Sequence, residues 1–207
     1  VDSMVPANYT ASSISTTTTS ISASCYLNVD FRRSLSSGGN FTDNHGSKTV
    51  TYYGNATSST ENNGVYTGSS STAGSILVTP NSHQFKFGYP IEWYMKTPSS
   101  WSSSYRGNVL SIWHDAQTWF WVWMTDGGRI YVQTRHLASQ PDLKAQSSVL
   151  PTNSWVHIIM VPGSSYSSFK FYINGVEESV SSSLFTSGSY ASSQYTYTGN
   201  MCIGQWN

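Results

Sequence analysis

The run Trp155-Val-His-Ile-Ile-Met-Val161, followed after a short loop by Phe169-Lys-Phe-Tyr-Ile173, constrains the fold more than any other part of this chain. Both runs are rich in β-branched and aromatic residues, which suit a pleated, half-buried surface. Pro162-Gly163 closes the first and Asn174-Gly175 the second. Asn-Gly favours a type I′ turn because both central residues take φ > 0 at little cost. The pattern predicts two buried strands, adjacent in one antiparallel sheet.

The same rhythm of short β-rich runs and turn residues recurs along the chain. Runs open at Cys25, Lys48, Gly64, Ser75, Ile91, Gly107, Trp119 and Arg129, with Gly, Pro, Asn and Ser between them. Such spacing signals an all-β sandwich or barrel. No segment sustains a 3.6-residue apolar period. The segment from Phe41 to Gly46 reads as loop, and the only helical expectation is a single turn within 137–149.

Composition narrows the partners. Of 207 residues, 10% are charged, and ten Lys and Arg balance ten Asp and Glu. An ordinary globular chain carries about 25% charged residues, so solubility here rests on Ser, Thr, Asn, Gln and Tyr. No basic patch suited to phosphates is visible, which argues against nucleic acid as a partner. No apolar run is long enough to predict a membrane-spanning helix. With 38% hydrophobic and 14% aromatic residues the chain can build a sizeable core.

Residues 1–23 differ from the rest. Between Ser12 and Ser22 the chain is almost entirely Ser and Thr, too poor in apolar surface to offset the entropy of ordering. This segment is expected to be an arm or linker outside the core, touching another subunit where it is ordered, and residues 24–207 to form one β-sandwich. Two cysteines, Cys25 and Cys202, do not make a disulfide framework; they can pair if the terminal strands are neighbours, but Cys25 sits in an apolar run where a buried free thiol is the commoner state. Sequons at Asn8, Asn40 and Asn55 are glycosylation candidates in a secreted eukaryotic protein.

Chemistry is sparse. Retaining glycoside hydrolysis needs two carboxyls about 5–5.5 Å apart, and residues two apart on a strand share a face. The strand beginning at Ile91 carries Glu92 alone. Glu177 and Glu178 are adjacent, hence on opposite faces when extended. No G-x-S-x-G elbow supports a serine nucleophile, and His157, alternating with Trp155 and Ile159, is expected to be a hydrogen-bonded structural histidine. No catalytic residue is assigned.

The run Trp119-Phe-Trp-Val-Trp-Met124 is aromatic on one face and apolar on the other. A sandwich strand has one core face, so the other must meet a covering loop, a neighbouring subunit or sugar rings. Trp119, Trp121 and Trp123 are the leading ligand or interface candidates. Trp93 and Trp113, with Trp101, Tyr94 and Tyr105, are expected to extend the same surface.

Several motifs, in shared order, resemble the concanavalin A-like lectin/glucanase superfamily in its laminin-G-like form. Gly74-Ser-Ile-Leu-Val-Thr-Pro80 looks like its "GxYLxVP" strand, Ile91-Glu-Trp-Tyr-Met-Lys96 like "FTIEFWVK", and Met201-Cys-Ile-Gly-Gln-Trp-Asn207 like its late "LxIG" strand. The resemblance implies a two-sheet antiparallel jelly roll whose family form ends in a "GxIDxxRI"-type strand; that place is expected to be taken either by residues following Asn207 or by another segment or subunit. It requires no cofactor. Calcium is the one ion it raises, because related domains often bind calcium between loops, and Asp43 and Asp126 are the first candidate ligands. In motif style the chain is similar to laminin-G-like domains of bacteriophage fibres and decoration proteins. The expectation is a non-enzymatic virion surface protein that stabilises the particle or adheres to host glycan, in a homo-oligomer or larger assembly. A secreted carbohydrate-binding or adhesion domain is the second reading, and a glycoside hydrolase of the same fold the third.

Overall fold

The computed structural model describes residues 39–42, 48–53, 56–58, 65–66, 75–79, 83–86, 89–101, 107–115, 118–125, 127–135, 143–163, 168–178, 194–197 and 199–204. The 1–23 arm, its boundary at 24 and the run expected at 25–31 lie outside them.

The described strands are β1 (Asn40–Thr42), β2 (Thr49–Tyr53), β3 (Thr57–Ser58), β4 (Val65–Tyr66), β5 (Ser75–Thr79), β6 (His83–Lys86), β7 (Ile91–Lys96), β8 (Gly107–Asp115), β9 (Thr118–Met124), β10 (Arg129–Arg135), β11 (Leu143–Val149), β12 (Trp155–Val161), β13 (Lys170–Ile173), β14 (Val176–Glu178), β15 (Gln194–Tyr197) and β16 (Asn200–Gly204). They build an eight-stranded sheet in the order β1-β2-β5-β16-β8-β9-β10-β11 and a four-stranded sheet in the order β14-β13-β12-β7. Two-stranded pairs β6–β15 and β3–β4 complete the described part. Every pairing in the two main sheets is antiparallel. β16 inserts between β5 and β8, so a strand late in the chain becomes internal to the large sheet. This is the expected all-β jelly-roll sandwich.

β12 and β13 pair directly, with Ile158 opposite Ile173 and Met160 opposite Phe171. The Asn174-Gly175 turn holds both residues at positive φ, 51° and 82°, as a type I′ turn requires. Asn174 also ties the hairpin together, its Oδ1 accepting the His157 N–H at 3.0 Å.

The core lies between the two main sheets. The large sheet contributes Val78, Ile112, Phe120, Val122, Met124, Ile130, Val132 and Met201, and the small sheet Val156, Ile158, Met160, Phe171 and Ile173. Period-2 alternation sorts each strand: β10 and β12 both alternate partly buried and buried residues along their whole length. Each such side chain, fully buried, contributes about 1.5–3 kcal/mol. Phe41, Val50, Tyr52, Ala56 and Ile76 form a second buried cluster, and Ile203 packs against both clusters.

Two local expectations are corrected. Residues 143–149, part of the 137–149 segment expected to hold a single helical turn, are strand β11, and 137–142 lie outside the described residues; polar residues on both faces (Gln146 and Ser147 are buried) concealed the strand signal. Residues 40–42, within the stretch between Phe31 and Lys48 expected as loop, pair with β2, where Phe41 reaches the second cluster.

Candidate functional site

Cross-strand register decides which face of β9 is core. Phe120 pairs with Ile112 on β8, and Val122 pairs with Leu110 on β8 and Val132 on β10, all on the inner side. Trp119, Trp121 and Trp123 therefore point away from the core, onto the outer face of the eight-stranded sheet.

There the rings run together. Trp119 and Trp121 stack with centroids 5.4 Å apart and planes 25° from parallel. Trp121 and Trp123 tilt at 56° across 5.8 Å. Trp123 then stacks on Tyr131, its register partner on β10, at 4.5 Å and 26°. The Arg135 guanidinium carbon sits 4.5 Å above the Trp119 ring, a cation–π contact that covers this end of the strip. Trp119 is buried, whereas Trp121 and Trp123 remain partly exposed.

The backbone beneath the strip is fixed from the core side. The Thr134 hydroxyl donates to the Trp119 carbonyl at 3.0 Å, and the Tyr197 hydroxyl lies 2.8 Å from Thr134 Oγ1. As Thr134 has one proton to give, Tyr197 donates to it. Rows of polar residues flank the rings by register: Asn108 and Ser111 on β8, opposite Trp123 and Trp121, and Gln133 on β10, opposite Trp121. Gln146 on β11 pairs with Tyr131. Sequence alternation identified the rings but not these flanking amides, whose positions depend on register.

The other candidates lie elsewhere. Trp93 does not extend the strip. It belongs to the small sheet and packs against the core, because Ile91, Trp93 and Met95 share the inner face of β7. Trp101 also packs against the core, donating from its indole N–H to the Leu150 carbonyl at 3.0 Å. Trp113 is the register partner of Trp119, but its side chain, like Tyr105, Asp43 and Asp126, lies outside the described residues.

A second polar cluster occupies the outer face of the small sheet. His157 stacks on the exposed Tyr94 with centroids 4.4 Å apart and planes 13° from parallel, and its Nε2 lies 2.7 Å from Glu92 Oε1. Tyr172 donates to Glu177 Oε2 at 3.1 Å, and Lys170 pairs with Glu177 at 3.3 Å. The hydrogen-bonded Glu177 carboxylate raises the Lys170 amine above the ordinary lysine range. Glu92 and Glu177 sit in one register row, Glu92–Ile159–Tyr172–Glu177. Three inter-strand steps separate their backbones by about 14 Å, and each carboxylate reaches inward to a neighbouring strand, Glu92 to His157 on β12 and Glu177 to Tyr172 on β13. Glu178 pairs with Phe171 and so takes the opposite face.

The laminin-G model of the concanavalin A-like lectin/glucanases superfamily matches residues 88–205, more than half of the chain. The chain belongs to this superfamily.

Among solved structures, the superfamily fold is similar to the carbohydrate-binding module CBM66 of Bacillus subtilis, at 12% identity and a TM-score of 0.40, covering 75% of this chain and 91% of that one. It is similar to the receptor-binding domain of botulinum neurotoxin mosaic serotype C/D at 14% identity and a TM-score of 0.48, covering 85% of this chain and 47% of that one. A pseudo β-1,3-glucanase of Mycobacterium tuberculosis is similar at 10% identity and a TM-score of 0.36, covering 77% and 65%. No curated protein matches the chain.

In this superfamily member no group of three or more His, Cys, Asp or Glu placed to hold a metal occurs among the described residues. Cys202 is a free, partly buried thiol on β16. Burial raises it above the ordinary cysteine range. No described helix is long and apolar enough to cross a membrane.

Proposed function

We propose that this domain binds glycan without hydrolysing it, on the outer face of the eight-stranded sheet, as a surface component of a virion or comparable extracellular assembly. One observation carries the reading: Trp119, Trp121, Trp123 and Tyr131 form a continuous aromatic strip on the side of the sheet turned away from the core. Flat apolar faces of sugar rings stack on such surfaces, and neighbouring amides exchange hydrogen bonds with their hydroxyls. Stacking of a nucleic-acid base on an aromatic side chain is worth about 1–3 kcal/mol, which sets the scale expected per sugar ring.

Two further features support it. Glu92 and Glu177 stand three strands apart in register and are each engaged by neighbours, Glu92 by His157 and Glu177 by Tyr172 and Lys170, an arrangement that favours binding over hydrolysis. The charge-poor, Ser/Thr-rich composition suits a ligand that offers hydroxyls rather than charge and a protein displayed on a particle. The test is calorimetric titration of the purified chain with soluble glycans, alongside an assay for reducing ends and imaging of the native assembly. Saturable binding without new reducing ends supports the reading. Release of reducing sugar, abolished in Glu92→Gln, makes the protein a hydrolase instead.

A further inference from the structure

Gln146 is buried on the outer face of the large sheet, with 7% of its surface exposed, and its Oε1 has no hydrogen-bond partner. A bulge puts it there. Along β10 the step from Arg129 to Tyr131 spans two residues, while their partners on β11, Val149 and Gln146, are three apart. Ser147 satisfies the backbone at the bulge: its Oγ accepts the Ile130 N–H at 3.0 Å and donates to the Ser148 carbonyl at 2.7 Å. Arg129 Nη1 donates to the Ser147 carbonyl at 3.0 Å. The strand thus provides fully for the buried hydroxyl at 147 and leaves the neighbouring amide at 146 without a partner for its oxygen.

Register places this amide beside the aromatic strip. Asn108, Trp123, Tyr131 and Gln146 form one row across β8, β9, β10 and β11, with the stacked Trp123–Tyr131 pair between two amides. A buried acceptor without a partner is destabilising, and natural structures rarely retain one without a reason. An aromatic pair flanked by amides matches a pyranose, which has an apolar face and a rim of hydroxyls that donate and accept.

We propose that Gln146 is the hydrogen-bonding anchor of a subsite for a neutral sugar ring seated at the Trp123–Tyr131 end of the strip. The inference rests on the glycan-binding reading and specifies where on that face the ring sits and which amide holds it. Since Oε1 is sealed from solvent in the free protein, binding turns the Gln146 amide toward the sugar hydroxyl. Neutral sugars are the class because the amides flanking the row carry no charge, while Arg129 is engaged by the Ser147 carbonyl and Arg135 lies over Trp119.

The experiment titrates the wild type, Gln146→Leu and Trp121→Ala with neutral hexasaccharides of glucose, galactose and N-acetylglucosamine and with a sialylated oligosaccharide. Melting temperatures and the Gln146 side-chain amide resonances are recorded in parallel. The expected result is that the wild type binds a neutral probe, with the Gln146 amide resonances shifting on saturation. Gln146→Leu then weakens binding by about tenfold or more with a melting temperature equal to or above the wild type, because the unpaired acceptor has gone. Binding weakened by Trp121→Ala but unchanged by Gln146→Leu, or unshifted Gln146 resonances at saturation, overturns the inference and leaves the glycan-binding reading standing. A lowered melting temperature in Gln146→Leu assigns the residue to structure and likewise overturns it. Binding of the sialylated probe alone overturns the neutral class. No binding of any probe overturns both proposals.

Discussion

Trp123 and Tyr131 stack across the β9–β10 pair at 4.5 Å while their chain neighbours Val122 and Val132, themselves paired, are completely buried in the core behind them. One pair of strands therefore presents an aromatic surface outward and an aliphatic one inward. Stability and binding should consequently separate by residue parity along β9.

Substituting the inner face tests that separation first. Phe120→Ala should cost about 3–5 kcal/mol, as for a large aromatic removed from a packed core. Trp121→Ala, which loses mainly ring contacts on the outer face, should cost about 1–2 kcal/mol. Urea denaturation of the two variants checks this; equal losses would show the outer strip to be a second core.

The parity of β9 was legible in the sequence; its polarity was not. Alternation divided Trp119, Trp121 and Trp123 from Phe120, Val122 and Met124, but only pairing with Ile112, Leu110 and Val132 shows which set is inside. Trp93 escaped for a related reason: its strand was recognised, but nothing local reveals that β7 belongs to the other sheet. β11 was missed because buried Gln146 and Ser147 interrupt its apolar pattern. Gln146 becomes a candidate only through a bulge joining positions far apart in sequence. The fold was read from repeated turn punctuation and motif order, which survive such local exceptions.

At the β9–β10 turn, Gly128 combines two requirements. Its φ is +72°, and an added Cβ would lie 2.4 Å from atoms of the Trp101 indole. Gly128→Ala should destabilise the domain by about 2–5 kcal/mol, from backbone strain together with overpacking. Thermal unfolding checks this, and Trp101→Ala in the same background should recover part of the loss by opening the space.

The hairpin after β13 gives a smaller effect. Asn174 holds φ at 51° and accepts the His157 N–H through Oδ1. Asn174→Ala loses the acceptor and strains the turn, for about 1–2 kcal/mol. Asn174→Gly relieves the strain alone and should lie between the wild type and alanine in denaturant midpoint.

Cys202 sets a pH dependence. Burial raises its thiol above the ordinary range in the folded state, so the folded protein keeps this proton where the unfolded chain, with a thiol near pH 8.5, has begun to lose it. Stability should fall as pH rises above that value and be unaffected by this group below it. Comparing the wild type with Cys202→Ala between neutral and alkaline pH checks the sign: the variant should show the shallower alkaline decline.

The most direct test of glycan binding on the outer strip is affinity electrophoresis of the wild type and Trp121→Ala through gels containing neutral polysaccharide, with folding of both confirmed by circular dichroism. The wild type should be retarded, and the variant, equally folded, should bind about one to two decades more weakly. Equal retardation of the two proteins, or free migration of the wild type through every polysaccharide, would contradict it.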